Sequence, residues 1–211
     1  MRMPARREPR HRDEWDTEFN RIVAFSDGVF AIAITLLVLS LTVPASGDGV
    51  WDTLWDERRE LFAYAISFAV LGKLWISHHR FFAVLERFDG TLMALNLLYL
   101  AFVVMVPYTS EVLGEHGEVA GAVILYAAVL FAVSLTFSAQ IMHSYRAGLV
   151  SVTTGDLERR FAGPSSLLVA GVFLVSIPVA LVAPEAATLM WLAIFVVGDR
   201  VSDWVGARIA R

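Results

Sequence analysis

The sequence predicts an all-α membrane protein with six transmembrane helices in each subunit. Two observations carry this prediction. Hydrophobic residues make up 57% of the 211 residues and charged residues only 18%, below the roughly 25% that is typical of soluble domains. The apolar residues also gather into six separate runs, and six crossings of about 20 residues each fit within the chain.

The six predicted spans cover residues 25–43, 61–76, 92–106, 119–142, 167–183 and 186–197. The third and sixth are short for a hydrocarbon core about 30 Å thick. Pro44, Pro107 and Pro184 each follow a span, where a proline ends a helix, and Pro178 lies inside the fifth span as a tolerated kink. Only Pro184 and Glu185 separate the last two spans, which predicts a tight helical hairpin.

Basic residues lie mostly on one side of the predicted spans. With a cytoplasmic amino terminus, fourteen of the sixteen arginines are inside and only Arg58 and Arg59 are outside. The positive-inside rule therefore predicts both termini in the cytoplasm. The expected organisation is a cytoplasmic N-terminal arm at 1–20, a six-helix transmembrane domain at 21–200 and a cytoplasmic C-terminal tail at 201–211. The first apolar run is too long for a signal-peptide core, so we expect it to be retained as a span.

Several function classes fit the sequence poorly. A net charge of −4 argues against a nucleic-acid partner, which normally meets a basic face. The absence of cysteine excludes disulfides and thiolate metal sites. His78 and His79 are adjacent, so their side chains diverge on a helix, and no further ligand spacing predicts a metal site. No nucleophile–base pair is visible, so we expect neither an enzyme nor a resident cofactor.

Asp27 lies at the start of the first span, where a carboxylate is costly unless it has a partner. The predicted topology places polar residues of the second and third spans at the same cytoplasmic level. We therefore expect one buried hydrogen-bonded network that includes one histidine, and the sequence does not decide which of the two adjacent histidines faces inward. Its predicted members are Arg21, Ser26, Asp27, Asn96 and either His78 or His79.

A second face of the first span is wholly apolar apart from one hydroxyl. At 100° per residue, Leu36 lies at about +40° from Ile32, Leu39 at about −20° and Thr35 at about −60°. Asp27 lies about 140° away, on another side of the helix. By composition alone this stripe is typical of packing against neighbouring helices or lipid.

The segment Arg21-x-x-x-Phe25-Ser26-Asp27, continued as Gly-Val-Phe-Ala-Ile-Ala-Ile-Thr-Leu-Leu-Val-Leu, resembles the signature of the endo-lysosomal potassium channel family (transmembrane protein 175) and its prokaryotic homologues. Supporting matches are Trp75-x-x-His78-His79-Arg80, Asn96 and Pro107-Tyr108. The resemblance covers about half of the chain closely and the layout of all six predicted spans.

The resemblance implies a homotetramer in which the first helix of each subunit lines a central pore. The family's constriction position falls on Ile32, the next apolar layers fall on Leu36 and Leu39, and Thr35 matches a position where some members carry a hydroxyl ring. The implied structural network holds neighbouring helices in register and includes Phe25 as an apolar wedge. The residues that the resemblance assigns to this network are Arg21, Phe25, Ser26, Asp27, Trp75, His78, His79 and Asn96.

The implied function is a potassium channel of the inner or plasma membrane with modest selectivity over sodium. The sequence has no Thr-Val-Gly-Tyr-Gly loop, so an apolar ring would have to act as a dewetting gate or as a sieve for easily dehydrated cations. Its implied partners are further copies of itself, the lipid bilayer and monovalent cations.

Two other functions remain open from the sequence. A proton-coupled secondary transporter would use Asp27 as its carrier, although no inverted repeat is visible. A membrane scaffold would use the Asp27 network only to hold helices together. Replacing Ile32 would change conductance or selectivity in a pore, Asp27→Asn would act mainly on a carrier, and a scaffold would respond to neither change.

Overall fold

The computed structural model describes residues 10–41, 49–150 and 165–192. Within these ranges every extended regular element is a helix, and the only β-type pairing is an isolated bridge between Leu85 and Val150. The helices are α1 (Arg10–Leu36, continued by the 3₁₀ turn Leu37–Ser40), α2 (Val50–Asp56), α3 (Arg58–Phe82), α4 (Gly90–Val103), α5 (Val106–His116), α6 (Ala120–Arg146) and α7 (Ser165–Ala180). A last helical segment covers 184–192.

Four stretches of the described chain are long and apolar enough to cross a membrane. They are Thr17–Ser40, Arg58–Phe82, Gly90–His116 and Ala120–Arg146. The fifth predicted span coincides with α7, whose apolar part is shorter, and the sixth extends beyond the described residues, as does the predicted tail at 201–211. The all-helical architecture with four candidate spans is therefore present in the described residues, while the count of six stays a prediction.

The first helix begins earlier than the sequence predicts. Residues 10–20, expected as part of a separate arm, continue α1 without a break, and the rest of that arm lies outside the described residues. No proline or glycine interrupts the chain between Arg10 and Asp27. The aromatic ring of Phe19 also stacks on that of Phe82 with 6.1 Å between centroids, which ties the extension to the end of α3.

The prediction that Pro107 ends the third span is wrong. After α4 ends at Val103, the backbone stays in the right-handed helical region, and α5 begins at Val106 with Pro107 in its first turn. Proline is tolerated there because the N–H groups of a first turn have no intrahelical acceptor. This candidate span is therefore interrupted by a turn at residues 104–105 and extends to His116.

A tight turn follows α7, as the predicted hairpin requires, but its position differs. The backbone N–H groups of Val182 and Ala183 both donate to the carbonyl oxygen of Val179, at 3.1 and 2.8 Å. Pro184 is then the first residue of the next helical segment, so the turn lies at 181–183 rather than at Pro184–Glu185. The indole N–H of Trp191 donates to Ser176 Oγ at 3.0 Å and closes the hairpin.

The core of the described bundle surrounds α6, which packs against α4, α5 and α7, while α3 packs against α1 and α5. The loop between α3 and α4 is tied to the chain after α6. Glu86 N–H donates to the Leu149 carbonyl oxygen at 2.9 Å, and Gly148 makes the approach possible with φ of 64°, a conformation that glycine adopts at little cost.

Asp89 fixes the start of α4 at the same end of the bundle. One carboxylate oxygen accepts a hydrogen bond from the Leu92 backbone N–H at 2.8 Å, and His143 on α6 contacts both oxygens at 3.0 and 2.8 Å. The Leu92 hydrogen bond, followed by that of His143, holds the pKa of Asp89 below its usual value.

Candidate functional site

One face of α1 is turned away from its own chain. The exposed fractions of Ile32, Leu36 and Leu39 are 59%, 43% and 75%, and Thr35 beside them is also exposed. The Thr35 hydroxyl donates to the Ile32 carbonyl oxygen at 2.9 Å, which leaves its oxygen able to accept a further hydrogen bond. The stripe derived from helical periodicity is therefore a continuous exposed face.

The opposite face of α1 holds the helix to the bundle. Ser26, Phe30, Ala33 and Leu37 are almost completely buried and lie about 100–160° from Ile32 around the helix. Small residues at two of these four positions let the backbone of α1 approach its neighbours closely. The helix thus has one anchored side and one unoccupied side.

A buried polar cluster joins this anchored face to two other helices. The Asn96 amide on α4 donates to Ser26 Oγ on α1 at 3.0 Å, and its carbonyl oxygen contacts Nε2 of His78 on α3 at 2.9 Å. Ser26 in turn donates to the Ile22 carbonyl oxygen at 3.0 Å. All three clustered side chains are buried, so the cluster fixes the positions of α1, α3 and α4 relative to one another.

The structure identifies His78 as the inward-facing histidine. Its ring stacks on Phe82 and Tyr99 with centroids 4.2 and 5.4 Å away, and Phe30 of α1 lies 5.7 Å away. His79, about 100° further around the helix, is exposed and its ring lies 5.7 Å from that of Trp75. The sequence left this choice open because periodicity alone does not fix the orientation of a helix.

The hydrogen-bond partner of Asp27 lies outside the buried cluster of Ser26, Asn96 and His78. The Trp75 indole N–H donates to Asp27 Oδ1 at 2.9 Å, so the partner is a neutral donor on α3. Arg21 is exposed and makes no hydrogen bond or ion pair with any other described residue. Phe25 is likewise exposed and lies at about +20° from Ile32, on the unoccupied face.

Within one chain, then, the single predicted network is divided in two. Ser26, Asn96 and His78 form the buried part, and Asp27 with Trp75 forms a half-exposed pair beside it. Arg21 and Phe25 join neither, and His79 contacts the ring of Trp75. The expectation that all of these side chains meet in one buried network is not met within a single chain.

Sequence reasoning missed a second buried polar cluster further along the bundle. Ser67 Oγ on α3 donates to Ser110 Oγ on α5 at 2.8 Å and lies 2.9 Å from the Tyr126 hydroxyl on α6. Ser110 donates to the Ala63 carbonyl oxygen at 3.2 Å, so the Tyr126 hydroxyl is left to donate to Ser67. Ser67 and Tyr126 are single hydroxyls within apolar runs, whereas Ser110 stands between Thr109 and Glu111 beyond the third run, so no shared pattern in the sequence links the three.

Comparisons with known proteins place this chain in a family. The family model described as "Endosomal/lysosomal potassium channel TMEM175" matches residues 21–107. A protein of Chamaesiphon minutus named as a potassium channel is 35% identical over 147 residues, which are 66% of this chain and 72% of that one. The chain belongs to the TMEM175 family. The matched segment contains every site residue predicted from the sequence.

Other TMEM175 relatives agree in fold and in name. A Streptomyces collinus protein named as a potassium channel is 44% identical over 139 residues, covering 62% of this chain and 66% of that relative. The crystal structure of a lysosomal potassium-selective channel TMEM175 homolog from Chamaesiphon minutus superposes with a TM-score of 0.73 at 28% identity, covering 88% of this chain and 98% of that one. The names of these relatives describe potassium channels.

Proposed function

We propose that this TMEM175 protein is a potassium-permeable cation channel assembled from four copies of the chain, with α1 of each copy lining a central pore. The observation that carries the proposal is the exposed face of Ile32, Leu36 and Leu39 on a helix whose other side is anchored in its own bundle. A helix held in this way presents a fixed apolar surface to whatever lies at the centre of an assembly. The potassium-channel names of the Streptomyces and Chamaesiphon relatives support this reading.

The proposed constriction is a ring of four Ile32 side chains, with Leu36 and Leu39 as the following layers. Such a ring offers no oxygen ligand to replace water around an ion, so it conducts by dewetting and partial dehydration. Potassium loses its hydration water more readily than sodium, which gives modest selectivity. The Thr35 hydroxyls supply the acceptor oxygens nearest to this ring.

Arg21 and Asp27 are proposed to work between subunits. Arg21 has no hydrogen-bond or ion-pair partner among the described residues, and only Oδ1 of Asp27 is hydrogen-bonded there. An ion pair between Arg21 of one copy and Asp27 of the next would satisfy both groups and hold adjacent α1 helices in register. Phe25, exposed within one chain, would pack at the same contact.

We propose that the channel lies in the cell membrane as a multi-pass protein with both termini in the cytoplasm. The support is the strong excess of arginine in the segments assigned to that side. The domain organisation proposed with it is the arm at 1–20, the channel domain at 21–200 and the tail at 201–211, with monovalent cations as the only permeant ligands and no bound cofactor.

The test is the reversal potential of reconstituted protein between potassium and sodium solutions. Wild type is expected to shift toward the potassium equilibrium potential, and Ile32→Asn is expected to abolish that shift because a polar ring retains water. Ile76→Asn is the matched control, since Ile76 is also exposed but lies on α3. A selectivity loss of equal size in both variants would refute the assignment of Ile32.

Two further results would overturn the proposal as a whole. Purified protein that remains monomeric in mild detergent at every concentration excludes a pore built from four α1 helices. Absence of current, together with pH-driven uptake that Asp27→Asn abolishes, would instead establish the proton-coupled transporter.

A further inference from the structure

A cavity of about 300 Å³ lies where the start of α3, the end of α5 and the segment 184–192 meet. This volume is at the lower end of the range for small-ligand sites. Its charged lining comes from Arg58, Arg59, Glu118 and Glu185, and its apolar lining includes Phe62 and Leu189. The cavity is at the opposite end of the bundle from the Ser26–Asn96–His78 cluster, so it is separate from the proposed pore machinery.

The mouth of this cavity is at the level expected for lipid headgroups. Trp51 and Trp55 on the adjoining short helix α2 are 83% and 72% exposed and are four residues apart, on one face of the helix. Exposed tryptophans at the end of a membrane span are typical of the membrane–water interface. The Arg58 guanidinium lies 5.8 Å from the centroid of the Trp55 ring and donates to the Trp55 carbonyl oxygen at 3.0 Å.

The charges in the cavity divide into one satisfied pair and two available groups. Arg59 forms an ion pair with Glu118. Arg58 uses one N–H on the Trp55 carbonyl oxygen, which leaves four of the five guanidinium donors. The Glu185 carboxylate makes no hydrogen bond or ion pair with any described residue. The Arg58 guanidinium and the Glu185 carboxylate therefore remain available to a ligand that itself carries one negative and one positive charge.

The apolar wall of the same cavity is open to the surroundings. Phe62 and Leu189 line it and are both exposed, one near the start of α3 and the other on the segment 184–192. A ligand that occupies the cavity with a charged head and extends an apolar chain would cover both side chains.

We propose that this cavity binds the headgroup of phosphatidylethanolamine, a zwitterionic membrane phospholipid. The phosphate accepts hydrogen bonds from the Arg58 guanidinium, whose planar donors match a phosphate. The primary ammonium donates to the Glu185 carboxylate. The acyl chains lie along Phe62 and Leu189. Phosphatidylcholine offers the same phosphate but no N–H donor, and phosphatidylglycerol offers no cation, so both fit the two available charges less well.

The test is lipid retention by the purified full-length protein, measured by native mass spectrometry after incubation with equal amounts of the three phospholipids. Wild type is expected to retain phosphatidylethanolamine about tenfold more strongly than phosphatidylcholine, the scale of one lost charge-assisted hydrogen bond. Equal retention of these two lipids would overturn the assignment of Glu185. Preferential retention of phosphatidylglycerol would overturn the zwitterionic assignment and establish an anionic-lipid site instead.

Two variants and two controls locate the binding. Glu185→Gln is expected to lower phosphatidylethanolamine retention about tenfold and leave phosphatidylcholine unchanged, whereas Arg58→Gln is expected to lower both. Glu86→Gln and Arg87→Gln remove the same charges from exposed positions at the other end of the bundle and are expected to change neither. Unchanged retention in both cavity variants would refute the site. The measurement needs no ion conduction, so its result is independent of the proposed channel function.

Discussion

Asn96→Leu is expected to destabilise the protein because Asn96 is the central member of the cluster that ties α1 to α3 and α4. The side chain is buried, donates to Ser26 Oγ at 3.0 Å and contacts His78 Nε2 at 2.9 Å. Leucine has the same branching and number of side-chain heavy atoms as asparagine but no polar atom, so the change removes both contacts without opening a cavity. Ser26 retains its bond to the Ile22 carbonyl oxygen, while His78 is left with an unpaired ring nitrogen.

The expected size follows from the two lost contacts. Hydrogen bonds between helices in membrane proteins contribute about 0.6 kcal/mol each on average and up to about 1.7 kcal/mol. Two of them give a loss of about 1–3 kcal/mol in the free energy of unfolding. The upper half of that range is expected, because a buried nitrogen without a partner carries its own desolvation cost.

A double-mutant cycle isolates the hydrogen bond from other effects of the substitution. Unfolding free energies in mixed micelles, followed by tryptophan fluorescence, are compared for Ser26→Ala, Asn96→Leu and the double variant. The expected coupling is about 0.5–1.7 kcal/mol. Ser26→Ala combined with Ser176→Ala on α7 is the control and should be additive. A Ser26–Asn96 coupling no larger than that of the control would refute the reasoning.

Two further predictions concern other contacts of the bundle. Asp89→Ala should lower the free energy of unfolding by about 0.5–2 kcal/mol through loss of the α4 cap. The folded-state pKa of Asp89 lies below its usual value of 3.8. The contribution of Asp89 to stability is therefore complete above pH 3.8 and is lost as the pH falls through the folded-state pKa. Urea or detergent titrations at several pH values check this against exposed Glu86→Ala, and a deficit that grows in acid would contradict it. Gly114→Ala should destabilise the protein by about 1–3 kcal/mol, because the added Cβ would lie 3.1 Å from Glu60 Cα. Gly121→Ala is the control, because nothing lies within 4 Å of its added Cβ, and it should be neutral or slightly stabilising in the same unfolding titration. Equal effects of the two substitutions would contradict the close-packing argument.

The sequence predicts the helical membrane class and the exposed stripe of α1 because both depend on local patterns. Apolar run length sets the number of candidate crossings, and the 100° periodicity alone groups Ile32, Leu36 and Leu39. The sequence also predicts that polar residues from three spans lie at one level of the bundle. That level follows from topology and counting along the helices, and it brings Asn96 within hydrogen-bonding distance of Ser26.

The sequence does not predict which polar groups at that level contact one another. Pairing depends on the rotation of α3 about its axis, which placed His78 among aromatic rings and left Trp75 to bind Asp27. The continuation of the helical path past Pro107 was also missed, because a proline just after an apolar run is compatible with either a helix end or the first turn of a new helix. Only the packing of α5 against α3 and α6 distinguishes the two.

The separation of the two faces of α1 has a consequence for how such a protein changes over evolutionary time. The side chains that pack the helix into its own bundle, Ser26 and Phe30 among them, are different from those that the helix presents outward. Substitutions at Ile32 or Leu36 are therefore free to diversify the outward surface at little cost to folding. The outward surface and the stability of the fold become traits that selection, or a protein engineer, adjusts independently within a single helix.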